Sequence, residues 1–228
     1  MKLRRQSARF KTGFAKLAAL ACLLRLGVVP CGAEPAPLPA NPAPEEAAWR
    51  VTIAAKTALP QVTQPIPGAK ETVFAAVAVS ADKNGVPRIL PLPKAALAAL
   101  GLDWAAFSSK TAAAASAALA KLQPEWIRDD HRVIECAILR CEHPEEDISI
   151  ALLAPDFLKR FKPVFGRKIL IAIPERNTAY LFPSLASRYP DYAGRILSLY
   201  RKSAHPVSRE LYELSATGLR AVGIYEEP

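Results

Sequence analysis

A chain of 228 residues, half of them hydrophobic, with 30 basic and 21 acidic side chains, is long enough to bury a real core and too apolar for a disordered polyelectrolyte. Its ten glycines follow no Gly-X-Y period, which excludes collagen-like structure, and beyond the N-terminus no apolar run has the roughly 20 residues of a membrane-spanning helix. The formal net charge of +9 is unevenly placed: residues 1–33 hold seven basic residues and no acidic one, leaving 23 basic against 21 acidic from Glu34 onward. A domain so close to neutral lacks the clustered Lys and Arg that phosphate binding needs, so no nucleic-acid partner is expected.

The first segment is built like a secretory signal. Lys2 to Lys11 form a basic start, and an apolar core from Leu17 to Leu24 is interrupted by Arg25 and resumed up to Val29. Pro30 and the small residues Cys31, Gly32 and Ala33 follow. Cleavage is expected after Ala33, giving an exported protein, periplasmic or extracellular. The alternative is an uncleaved signal that anchors the chain, which is the one membrane association expected. Residues 34–50 are rich in Pro and Ala; Pro blocks both helix and ladder hydrogen bonding, so this stretch reads as an extended, disordered linker. Residues 51–228 then form a single α+β domain.

Within that domain, residues 72–79 are rich in β-branched side chains and predict a strand. Asp82-Lys83-Asn84-Gly85 is a turn, its Asn-Gly a strong hairpin signal, and 86–90 is the returning strand. Residues 93–100 predict a short helix with Pro93 in its first turn and Gly101 as its stop. Asp103 is the expected N-cap of a longer helix reaching about Leu122. Its apolar row runs Trp104, Phe107, Thr111, Ala115, Leu119 and Leu122. Residues 132–140 and 147–153 predict two strands, and 157–161 a short helix or turn. Residues 168–173 are apolar on both faces, the pattern of a strand covered on both sides. Pro174-Glu175-Arg176-Asn177 is a turn, and 178–182 its antiparallel partner. Residues 184–202 predict a helix with Leu185, Tyr189, Tyr192, Ile196 and Leu199 on one face, kinked at Pro190 or starting near Tyr189. Strands at 210–214 and 219–224 close the chain. Without a regular βαβ rhythm, these elements predict an α+β fold: a mixed, mostly antiparallel sheet with helices packed mainly on one face.

Chemically, the chain is sparse. Signal cleavage leaves Cys136 and Cys141, and an exported domain with two cysteines invites one disulfide. Five residues apart on one strand, their side chains point to opposite faces, so a bridge requires the strand to end or bulge near Leu139. The alternative is one buried Cys and one near the turn. Cys136, Cys141 and His143, with His131 or Glu142, lack the spacing of a zinc site, and Glu145-Glu146-Asp147 lacks the alternation of a calcium loop. No metal and no cofactor are expected. There is no nucleophile elbow and no phosphate-cradling glycine loop, so no catalytic residue is assigned. Arg176 and Asn177 are the candidate ligand-binding residues. They follow the most apolar strand, and Arg176 can offer a two-pronged donor to a carboxylate or phosphate. A salt bridge to Glu175 or a neighbouring acid is the competing role. Tyr189, Tyr192 and Tyr200 read as a core stripe with wet hydroxyl tips.

Two segments carry a family resemblance. One is an apolar strand from Ile89 that runs into Leu92-Pro93-Lys94-Ala95-Ala96-Leu97 and a long Ala-rich helix to Leu119. The other is Ile169-Leu170-Ile171-Ala172-Ile173-Pro174-Glu175-Arg176-Asn177-Thr178, with the later Pro206-Val207-Ser208-Arg209-Glu210-Leu211-Tyr212. Over residues 70–225 this order of elements resembles the YtpQ-like family of uncharacterised bacterial proteins. In that family an acid usually follows the Arg, and Asn177 stands there instead. The resemblance implies no known enzymatic activity, and export would set this chain apart from relatives that look intracellular. The expectation is an exported, non-enzymatic binding or interaction domain with a protein or small-molecule partner. The alternative is an exported hydrolase-like enzyme using Cys136 or the Arg176 turn.

Overall fold

The structure, a computed structural model, describes residues 48–226 except 59, 100, 186 and 187. The expected signal, its cleavage point and residues 34–47 of the expected linker lie outside the described residues. Everything described belongs to one compact unit, residues 42–228.

Strand structure starts before the linker boundary expected at residue 50. Strand β1 (Trp49–Ala55) starts with Trp49 buried against Phe107, ring centroids 5.7 Å apart. β1 pairs antiparallel with the long β3 (Thr72–Ala81). The short β2 (Thr63–Pro65) and β4 (Pro87–Pro91) pair antiparallel with successive stretches of β3, completing a four-stranded sheet. The β3–β4 hairpin has the expected Asn-Gly turn. Asp82 Oδ1 accepts from the N–H groups of Asn84 and Val86, and these bonds hold its carboxyl below the usual range.

Helices α1 (Lys94–Ala99) and α2 (Trp104–Lys121) follow. Asp103 caps α2 as expected, accepting from the Ala106 N–H at 2.8 Å. The predicted row is the inner face: Phe107, Thr111, Ala115 and Leu119 are buried. Trp49, Val51, Ala76 and Ala78 of the first sheet pack with Leu97 and Phe107 from these helices.

The second sheet has six strands, all paired antiparallel. It begins with β5 (Glu125–Arg128) and β6 (Ile134–Arg140). The next segment departs from expectation. Residues 147–153 are not a strand but the short helix α3 (Ile148–Leu152), capped by Asp147. α4 (Phe157–Phe165) buries Phe157, Phe161 and Phe165 at four-residue spacing, each contributing about 1.5–3 kcal/mol of apolar burial. β7 (Ile169–Glu175) and β8 (Thr178–Pro183) occupy the middle of the sheet. β7 is covered on both sides as predicted: Ile169, Ile171 and Ile173 face one cluster, Leu170 and Ala172 the other.

The last helix starts later than predicted. Tyr189–Tyr192 is a 3-10 turn carrying Pro190, and α5 (Ala193–Lys202) begins after it. Leu185 consequently lies outside the helix, 99% exposed rather than inward-facing. The chain ends in the hairpin β9 (Glu210–Ser215) and β10 (Gly218–Ile224), giving the order β10-β9-β7-β8-β6-β5. One core joins both sheets, since Ile53 and Ile66 of the first region pack with α2, α3, α4 and the inner face of the second sheet. α5 covers the opposite face. The architecture is α+β with antiparallel sheets and most helices on one side of the larger one.

Candidate functional site

The loop from Cys141 to Asp147 separates two cavities. The larger, about 280 Å³, lies between α2, the β3–β4 hairpin and this loop. Its apolar wall includes Ala114, Ala118, Val79, Ile89 and Ile150. α2 can supply a low wall because its large apolar side chains occupy the adjacent row facing the core, leaving the methyl groups of Ala114, Ala117 and Ala118 here, with Lys121 at the helix end. Charges of both signs line the same cleft. Arg50, Lys121 and Arg140 come from three different elements, whereas Glu142, Glu145 and Glu146 all come from the loop. Burial lowers the Arg50 pKa below its ordinary value, and Arg140 is paired with Glu125 at 2.6 Å.

The smaller cavity, about 150 Å³, has Asp147, Arg176 and His205 in its lining beside Ile53, Ala75 and Val207. Glu145 holds two of these side chains together: its Oε2 is 3.5 Å from Arg176 Nη1 and 3.1 Å from His205 Nε2. The backbone fixes Arg176 as well. Its N–H donates to the His205 carbonyl at 3.1 Å, and its carbonyl accepts from the Ile148 N–H at 2.7 Å. The β7–β8 turn, the start of α3 and the approach to β9 are thereby one piece.

Asp147 anchors that piece to the first sheet. Its Oδ1 accepts from the Ser149 N–H at 2.9 Å, and Ser149 Oγ lies 2.5 Å away. Thr52 Oγ1, from β1, is 2.5 Å from Oδ2. Desolvation pushes the Asp147 carboxyl above the usual range, against these hydrogen bonds and the Arg176 charge.

Of the candidates read from sequence, Arg176 therefore lines a cavity but is engaged with Glu145, one of the neighbouring acids. Asn177 is turned to local bonding, its Oδ1 accepting from Thr178 Oγ1 and its carbonyl from the Cys141 N–H. Cys136 and Cys141 are both free and not bridged. β6 carries Cys136 into the cluster under α5, while Cys141, just past the strand, packs against the opposite cluster. Burial pushes each thiol up to about 12. At neutral pH such a thiol is almost entirely protonated and a poor nucleophile. His131 sits in the exposed turn between β5 and β6, and His143 Nδ1 accepts from the Glu145 N–H at 3.2 Å. Among the described residues no group of three His, Cys, Asp or Glu side chains is arranged to hold a metal ion, and no helix is long and apolar enough to cross a membrane.

The sequence shows no ligand pattern in the acidic run at 145–147, and a strand was expected from Asp147 onward. The usable signal was Asp-x-Ser ahead of an apolar stretch, a helix-capping pattern. Thr52 and His205 had no local signal, because their partners come from distant segments. In comparisons with known proteins, no family model, no curated protein and no solved structure matches this chain.

Proposed function

We infer that the chain is an exported binding domain and that the larger cleft takes a short, zwitterionic peptide with apolar side chains. The observation that carries this reading is the pairing of an apolar, alanine-lined wall with both charge signs around one cleft. A peptide of dipeptide size presents the complement: an ammonium for the glutamates of the loop, a carboxylate for the arginines and Lys121, and apolar groups for the wall. The volume of about 280 Å³ lies just under the usual range of ligand pockets, roughly 300–1,000 Å³, which favours a small ligand. The YtpQ-like resemblance fits a non-enzymatic role and belongs to the same proposal. The hydrolase-like alternative needs an accessible Cys136 or an unengaged Arg176, and neither side chain is placed that way.

Titration of labelled protein with leucine-containing dipeptides, followed by NMR, tests the ligand class. Shifts are expected at Val79, Ile89, Ala114 and Cys141. Ala117 is exposed and lines the cleft, so Ala117→Trp is expected to fill it and abolish the shifts. Its stability cost should stay near the helix-propensity difference, about 0.5 kcal/mol. Shifts produced only by monocarboxylates or by polyamines would sink the peptide reading. Export is tested by the intact mass of protein recovered outside the cytoplasm. The mass of residues 34–228 is expected, and a full-length mass would replace the cleaved signal by an anchor.

A further inference from the structure

Where β1 meets the start of α3, three side chains make contacts whose hydrogens do not add up if Asp147 is ionised. Asp147 Oδ2 is 2.5 Å from Thr52 Oγ1, Asp147 Oδ1 is 2.5 Å from Ser149 Oγ, and the two hydroxyl oxygens are 2.6 Å apart. Each contact at such a distance needs a hydrogen between the oxygens. Two hydroxyls supply two hydrogens and a carboxylate supplies none. With both hydroxyls donating to the carboxylate, Thr52 and Ser149 would face each other with lone pairs alone. The nearby amides do not fill that gap. The Ile53 N–H donates to Ser149 Oγ at 3.0 Å, and the Ser149 N–H to Asp147 Oδ1 at 2.9 Å.

We propose that Asp147 carries the missing proton in the folded protein, closing a ring in which the acid donates to Thr52, Thr52 to Ser149, and Ser149 back to the carboxyl, and that this ring is a proton-dependent clasp between β1 and the loop walling the cleft. The ring uses one hydrogen per contact. Ser149 Oγ then donates once and accepts twice, and Asp147 Oδ1 accepts twice. Thr52 and Ser149 are buried, at 2% and 0% exposure, which keeps water from the two hydroxyls, while Asp147 itself is half-buried. Loss of the proton leaves one contact repulsive and adds a negative charge to a loop already bearing Glu145 and Glu146.

The groups around Asp147 act in both directions. Arg176, across from the β7–β8 turn, favours the ionised form but is shared with Glu145. Arg50 of β1 and His205 line cavities with Asp147, as do Cys141, Glu145 and Glu146 from its own loop. The larger cleft also carries Glu142, Lys121 and Arg140. Desolvation is the largest influence and favours the neutral acid. A carboxyl raised in the folded state contributes its full stabilisation below its unfolded value and loses it as pH rises through the folded value.

The clasp is independent of what the cleft binds, and its test uses no ligand. Carbon-detected NMR of the full chain follows the Asp147 carboxyl against pH, with Asp82 as the internal contrast. Asp147 is expected to remain the neutral acid above the ordinary aspartate range, at pH values where Asp82 is already ionised. In Asp147→Asn the amide reproduces the acid, with an N–H toward Thr52 and an oxygen toward Ser149. That variant is expected to unfold at a higher denaturant concentration than the parent above the Asp147 titration, and at the same concentration in acid. An Asp147 carboxyl that titrates at or below the ordinary value overturns the proposal. So does an Asp147→Asn variant that unfolds earlier than the parent at neutral pH.

Discussion

Gly68 and Gly85 share a backbone angle, φ +78° in each, and differ in what surrounds them. A Cβ on Gly85 would meet nothing within 4 Å, whereas a Cβ on Gly68 would stand 2.5 Å from the Ala221 carbonyl oxygen. The chain runs this close because the Ala221 N–H donates to the Pro67 carbonyl at 2.8 Å, laying the segment before β3 along β10. Gly85→Ala is expected to lose only the left-handed penalty, about 1 kcal/mol. Gly68→Ala adds a clash against backbone that cannot swing aside, so about 3 kcal/mol or more is expected in denaturant unfolding. Equal losses for the two variants would mean that the segment gives way at little cost. Only one of these glycines was legible. Gly85 stands in Asn-Gly between two strand-like runs, a signal written in adjacent residues. The reason for Gly68 lies on the last strand. Arg176 follows the same division: its placement after a buried strand could be read from sequence, while its partner Glu145 belongs to another element.

Elements long enough to display a period were legible, and short ones were not. α2 shows its inner row over several turns, and β7 its two covered faces. α3 has five residues, all buried. A helix under two turns with no exposed side shows no 3.6-residue period, and Ile148-Ser149-Ile150-Ala151-Leu152 alternates like a strand. The Asp147 cap decides the matter by satisfying the Ser149 N–H. α4 was legible only in its first half, since Pro163 argues for a stop. Its three phenylalanines continue the helix past that proline, and Trp126 of β5 packs on Phe161 and Phe165 with ring centroids 6.4 and 5.9 Å away. The end of α2 is also completed from outside. Arg160 of α4 donates to the Leu119 carbonyl, which also accepts from the C-cap Leu122 N–H, and to the Leu122 carbonyl beyond the last turn. Local sequence predicted where α2 stops, but the side chain that adds a donor to its last carbonyls comes from a different helix. β1 was missed because the Pro-rich composition before it carried the linker boundary past Trp49.

At the scale of the whole molecule, a single sheet was expected and two are present, so the joints between them matter most. Apolar packing of Ile53 and Ile66 against the larger sheet is one joint, and the Asp147 clasp is a second. The third is Glu210, buried at the start of β9. Its Oε1 accepts from the Lys70 and Glu71 N–H groups at 2.5 and 3.0 Å. Its Oε2 accepts from Thr72 Oγ1 at 2.6 Å and Tyr212 Oη at 3.3 Å. Burial raises the Tyr212 pKa, so its hydroxyl keeps the hydrogen it donates. A salt bridge between Arg209 and Glu71 lies beside this group. One side chain of the second sheet thus satisfies the entrance of β3 in the first. Glu210→Gln retains an oxygen for the two amides and offers an N–H to hydroxyls that can turn to accept it, so a loss of about 1 kcal/mol is expected. Glu210→Ala removes the acceptor of both amides, which lie at an exposed Lys70 and a half-buried Glu71 that water reaches in part, so a total loss of about 2–3 kcal/mol is expected. Denaturant unfolding should rank the variants in that order. Hydrogen exchange should show the consequence directly: in Glu210→Ala the Lys70 and Glu71 amides are expected to lose protection while β7 keeps its own. Uniform loss of protection across both sheets would instead mean that the joint cannot open separately from global unfolding, and that the two sheets fold and fail as one.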